Sequence, residues 1–220
     1  MNFLRKLFGP PKPSLDSLAF DSQGWVLREQ ASHQRTWDHP AAPAVLSVNF
    51  FDIPPDLPPG LSPTALRQLY RSSIRQQEGG LVELTRGQIG AQPMVRTLFK
   101  VPLQPSGMLY IGSLILPFRD YSYVVKVQAR EDGYTGLRES LVADMLMQAG
   151  QLQLTDEGYT DWFADPYDPH YTLGTLMNRA EQPEYDGLLP NHPLTLVRST
   201  LRWLESSLRL QPELLKVAPF

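Results

Sequence analysis

The chain has 220 residues, enough for one large domain or for one domain with a sizeable extension. It is 42% hydrophobic and 20% charged, which supports a real core and excludes global disorder, while a net charge of −3 argues against an electrostatic nucleic-acid binder. The absence of Cys excludes disulfides, thiolate metal sites and a Cys nucleophile, and 21 Pro exclude a long helical bundle or coiled coil.

Residues 1–13 carry Arg5, Lys6 and Lys12 with no acid, and the two central bases interrupt the apolar run that a secretory signal needs. Phe3, Leu4, Leu7 and Phe8 would form one apolar face of a short basic helix, stopped by Gly9-Pro10-Pro11. This flexible basic tail reads either as a weak membrane or partner anchor, or as a segment that packs on its own domain. No apolar stretch of about 18 residues occurs, so no membrane span is expected and the expected location is cytoplasmic.

Residues 14–150 read as a sheet with two helices. Trp25–Glu29 and Arg35–Asp38 predict a hairpin, and Val45–Phe51 a third strand with Leu46, Val48 and Phe50 on one face. Four prolines between Asp52 and Gly60 make that stretch an extended connection. Ser62-Pro63 then gives an N-cap and a first-turn proline for a helix with Leu66, Leu69, Tyr70 and Ile74 inward, ended by Gly79-Gly80. Strands follow at Leu81–Thr85, Met94–Val101, Met108–Leu116 and Tyr121–Ala129, joined by connectors of hairpin length and hence antiparallel. Met108–Leu116 is apolar on both faces and should be central. A second helix is predicted from Thr135 to Gln148, with Leu137, Leu141, Met145 and Leu146 on its inner face.

This element order, with Gly79-Gly80-Leu81-Val82-Glu83, Pro93, Tyr110, Asp120-Tyr121 and Val125-Lys126-Val127, resembles a known family over Gly24 to about Gln148. It is the family of PsbP-like extrinsic proteins of photosystem II, the Ran-binding nuclear-import factor of yeast and bacterial relatives that include secretion-effector chaperones. The resemblance implies an α+β fold, an antiparallel sheet in an α/β/α sandwich. It also implies a module that binds other proteins, with no catalytic motif to carry over.

Residues 151–220 depart from that pattern. Eight carboxylates lie between 156 and 186 against the single Arg179, and Trp162 to Tyr171 crowds four aromatics, two Asp and one His around two prolines. Leu194, Val197, Leu201, Leu204 and Leu208 recur at helical spacing and predict a C-terminal helix covering an open face of the sheet, packed on the same domain. Three readings of the aromatic segment stand side by side. It is a structural loop built on Asp-Pro turns. Alternatively it is a partner-binding surface using Trp162, Asp165, Tyr167, Asp168 and His170 with Tyr185 and Asp186, whose acids would steer a basic partner. In the third reading Asp165, Asp168, His170 and His192 hold a metal for hydrolysis, although the spacing matches no helical or calcium-loop ligand pattern. No phosphate-binding loop, dinucleotide fingerprint or nucleophile elbow occurs, and no cofactor is expected. The reading that follows is a non-enzymatic protein-interaction module, in its specific form a chaperone or inhibitor-like partner of a secreted effector; the alternative is the metal-assisted hydrolase.

Overall fold

The computed structural model describes residues 13–22, 24–58, 60–212 and 214. The basic apolar segment at residues 1–12, and with it the anchor expectation, lies outside them. A short 3-10 turn at Leu15–Ser17 leads into β1 (Leu18–Ala19). The sheet then follows as β2 (Val26–Gln30), β3 (Gln34–Asp38), β4 (Ala44–Phe51), helix α1 (Pro63–Arg75), β5 (Gly80–Ile89), β6 (Gln92–Pro102), β7 (Met108–Pro117) and β8 (Ser122–Arg130). These seven strands from β2 onward form one antiparallel sheet in the order β2-β3-β4-β8-β7-β6-β5, so the doubly apolar β7 is internal.

The register explains the core. Leu46 faces Val127, Val48 faces Val125 and Phe50 faces Tyr123 across β4 and β8, while Val125 faces Leu114 and Tyr123 faces Leu116 across β8 and β7. All of these side chains are buried on one side of the sheet. Helix α3 (Pro193–Ser207) lies on that side over β7 and β8. Its stripe Leu194, Val197, Leu201 and Leu204, continued by Leu208, is buried in the same cluster, so the 3.6-residue period was a correct guide here. Gly112 of β7 makes the contact close, since a Cβ there would stand 2.6 Å from Val197 Cγ1 and 2.7 Å from Leu201 Cδ1. After α3, β13 (Arg209–Leu210) pairs antiparallel with β1.

The opposite side carries α1, whose start is fixed by the Ser62 hydroxyl accepting from the Ala65 N–H at 3.1 Å. Leu66 packs there with Leu81, Leu84 and Val95, but Leu69 is exposed and Arg71 takes a buried position instead. Helix α2 (Leu137–Gln148) departs further from expectation. It lies not on the sheet but against the 3-10 turn Arg179–Glu181, and its buried residues are Arg138, Val142, Ala143 and Leu146. Leu137, Leu141 and Met145, expected inside, face solvent.

Between α2 and α3 the chain forms short antiparallel pairs, β9 (Leu154–Thr155) with β10 (Gly158–Tyr159) and β11 (Phe163–Ala164) with β12 (Met177–Asn178). This stretch wraps the β5 edge: Tyr167 contacts the α1 side, whereas Met177 joins the core under α3. At the crossing, a Cβ on Gly80 would stand 1.8 Å from the Thr175 carbonyl oxygen, so the backbones touch where only glycine fits. One exposed sheet edge is thereby covered, the usual remedy against edge-to-edge pairing. No described helix is long and apolar enough to cross a membrane.

Candidate functional site

The aromatic and acidic segment is built into the molecule. Trp162 is buried with Val142, Ala143, Leu146, Leu152 and Ala180, and Tyr185 packs half-buried on that cluster. Asp165 forms a buried ion pair with Arg71 of α1 and accepts the backbone N–H groups of Tyr167 at 2.9 Å and Asp168 at 3.0 Å. The Tyr167 hydroxyl accepts from the Leu84 N–H at 2.6 Å and donates to the Leu84 carbonyl at 3.1 Å, with Arg67 stacked 3.8 Å above its ring. Burial pushes that phenol above its ordinary pKa, so it remains a neutral donor. Asp168 accepts from the His170 N–H at 3.0 Å, and His170 itself is exposed.

Asp186 belongs to a second construction, which the sequence reading missed. Arg138 of α2 and Arg198 of α3, 0% and 1% exposed, converge on one oxygen of Asp186 at 2.8 and 2.9 Å. Arg138 also donates to the Ala180 carbonyl at 2.6 Å, the Gln182 carbonyl at 3.1 Å and the Thr195 hydroxyl at 3.0 Å. Arg198 donates to the Glu181 carbonyl at 2.5 Å and pairs with Glu83 of β5. Beside them Lys100 of β6 reaches Glu181 at 2.7 Å, and the Tyr110 hydroxyl donates to the same carboxylate at 3.3 Å. Burial and the Glu181 charge hold Tyr110 well above the usual phenol range. Charges removed from water in this way are tolerated because nearly every donor finds an acceptor. The lattice fastens residues 177–198 to the sheet and to α2.

The arrangement expected for metal-assisted hydrolysis is not formed. Among the described residues no group of three or more His, Cys, Asp or Glu could hold a metal ion. Asp165 is committed to Arg71 and to two amides, and His170 stands in solvent. His192 caps α3, its Nδ1 accepting from the Leu194 N–H at 3.2 Å, and its Nε2 stands 3.4 Å from Glu131. Burial raises the pKa of Glu131, but hydrogen bonds from His192 and the Gly136 and Met108 amides, with the His192 charge, lower it by more.

With Trp162, Asp165 and Asp186 inside, the outer face of α2 presents an apolar stripe outside this wrapping segment. Leu137, Leu141 and Met145 follow one another at i, i+4 and i+8, exposed by 56%, 38% and 41%. Tyr134, 95% exposed, stands before the helix, and with Leu137, Leu188, Leu189 and Pro190 it lines a groove of about 280 Å³ that also touches Glu131 and Asp132. Asp132 lines this groove, and Asp144 lies exposed on α2 itself. Along residues 131–192 Asp156, Glu157, Asp161 and Glu184 are also exposed, whereas the two Arg of that stretch are the buried Arg138 and the half-buried Arg179, which donates to the Gln151 carbonyl. The signal for this surface lay in Arg138. A base in the first turn of a leucine-rich helix is buried on Asp186, and the leucine stripe faces outward.

No family model and no curated protein matches the chain. Solved structures similar to it include one from Bacteroides thetaiotaomicron, with 9% identity and a TM-score of 0.35 over 54% of this chain; the chain spans only 40% of that structure. The solution structure of cyanobacterial PsbP (CyanoP) from Synechocystis sp. PCC 6803 gives 12% identity and a TM-score of 0.40 over 66% of this chain and 86% of that one. LpqN, involved in cell envelope biogenesis of Mycobacterium tuberculosis, gives 15% and 0.30 over 69% and 86%. A PsbP structure is thus among the folds this chain is similar to, and its α+β class with an antiparallel sheet stands on its own strand order.

Proposed function

We propose that the protein is a non-enzymatic interaction module that holds a basic amphipathic helix of another protein along the outer face of α2. The observation that carries this reading is the solvent-facing stripe Leu137, Leu141 and Met145, with the exposed carboxylates of Asp144 on the same helix and of Asp132 in the groove beside Leu137. Helix-in-groove recognition uses anchors at that spacing, and acidic neighbours steer and orient a basic partner. Of the partly or fully exposed members of the aromatic and acidic set, Tyr167, Asp168, His170 and Tyr185, the one packed on the α2 cluster is Tyr185, which would contribute at the margin. In its specific form the reading makes the protein a cytoplasmic chaperone or inhibitor-like partner of a secreted effector, a form that rests on the family resemblance of the sequence alone.

The test titrates a fluorescent amphipathic peptide of Leu and Lys into the protein, beside a Leu and Glu peptide of equal length and a scrambled Leu and Lys peptide. The reading expects saturable binding of the first alone, weakening as salt rises. Equal binding of all three, or of none, overturns it. A protein that self-associates through α2 and releases its second copy on Leu141→Glu would show that the occupant is another copy of this chain.

A further inference from the structure

A second surface stands apart from α2, on the side of the sheet that carries α1. Helix α1 covers β5 and β6 there, with Ile115 of β7 at the edge of its cluster; among the described residues it forms no comparable cluster with β4 and β8. At one end of this open area the loop His39–Pro43 raises a wall beside the sheet. The loop is fixed by the His39 N–H on the Ala44 carbonyl at 3.0 Å, the Ala44 N–H on the Ala42 carbonyl at 2.7 Å and the Arg130 N–H on the Pro43 carbonyl at 3.2 Å. Between wall and sheet lies a groove of about 470 Å³, a volume in the range of small-molecule sites.

Its lining divides sharply. Ala42, Val45 and Leu109 are apolar, while Gln128, Arg130 and His39 are polar. The guanidinium of Arg130 makes no ion pair among the described residues, whereas Asp38, the groove's carboxylate, is held by Arg28 at 2.9 Å. The His39 ring stands edge-on to Trp25 with centroids 5.0 Å apart, and its Nδ1 accepts from the Ala41 N–H at 3.2 Å. That bond places the proton of the neutral ring on Nε2, which makes it a donor. Lys126 lies four residues before Arg130 on the same face of β8, outside the groove's lining. The groove therefore offers an apolar floor, donors and an uncompensated positive charge, and its one carboxylate is already neutralised.

We propose that this groove binds a medium-chain aliphatic carboxylate, its headgroup on Arg130 and His39 and its chain on Val45 and Leu109. A guanidinium takes a carboxylate bidentately, and a short aliphatic chain fills a volume of this size. The site is independent of the α2 surface.

The experiment titrates octanoate into the full chain and follows backbone amides by NMR, with 1-octanol as the uncharged control. Octanoate shifts the amides of Ala42, Val45, Leu109, Gln128 and Arg130 saturably, and octanol binds about tenfold more weakly because it forfeits a charge-assisted bond. Arg130→Gln lowers octanoate affinity by about tenfold and leaves octanol unchanged. Gln128→Glu, which sets a carboxylate beside Arg130, gives the same loss without removing the arginine. Equal binding of octanoate and octanol, indifference to both substitutions, or shifts confined to α2 would each overturn the proposal.

Discussion

Arg138 shows how one side chain can decide which face of a helix is inside. Its guanidinium finds two carbonyls, a hydroxyl and Asp186 within 3.1 Å, so turning it into the protein satisfies its donors at the cost of exposing Leu137 and Leu141. Replacing it by Met leaves Asp186 facing Arg198 alone and strands the Gln182 and Ala180 carbonyls. The expected loss is about 3–5 kcal/mol in urea unfolding, and Arg138→Met with Asp186→Leu should recover part of it, because removing both partners avoids an orphaned charge. A second residue gives a pH signature. The folded pKa of Glu131 lies below its unfolded 4.5, so the stability it contributes is fully present above that value and is lost as pH falls through the folded one. Glu131→Gln should therefore be less stable than the parent at neutral pH and converge with it in acid, a comparison of two melting curves against pH. At this scale the sequence was least informative. A buried and an exposed tryptophan are the same letter, and neither Asp165 nor Asp186 announces which arginine will meet it from 94 or 48 residues away.

Among the elements, α3 and the wrapped β5 edge hold the sandwich together. The α3 stripe was readable because its period is regular and every apolar residue falls on one face. The failure at α2 has a physical cause: apolar residues occur around most of that helix, and period alone could not choose between a face with Leu137 and Leu141 and one with Val142, Ala143 and Leu146. The strands were legible in chain order and in their hairpin pairings, since each is bounded by turn residues; the β4–β8 pairing that joins the two halves of the sheet was not, and β5 runs on to Ile89 where the apolar signal had faded after Thr85. Gly112→Val should push α3 off β7 and lower the thermal midpoint sharply, because the added atoms meet Val197 and Leu201 at less than contact distance. Deleting residues 191–220 should expose the apolar face under α3 and cause aggregation or early melting; an unchanged midpoint would make α3 an accessory.

On the scale of the whole molecule, one segment performs two tasks. Residues 151–192 cover the β5 edge and, through Arg138, present the α2 stripe to solvent, so the most distinctive stretch of sequence acts from inside. Of its acids, Asp156, Glu157, Asp161 and Glu184 remain exposed and would favour a basic partner. Trp162 and Asp165 of the aromatic segment are core, and the α2 face is the proposed contact surface. The measurement that tests this assignment most directly compares Leu141→Glu with Trp162→Ala, reading peptide affinity and unfolding free energy on both, well below their melting points. Leu141→Glu should lose about tenfold or more in affinity for the basic amphipathic peptide with its unfolding free energy within about 0.5 kcal/mol of the parent. Trp162→Ala should lose about 3–5 kcal/mol of stability and keep the affinity. The reverse pattern, a stable Trp162→Ala that no longer binds beside a Leu141→Glu that does, would contradict it.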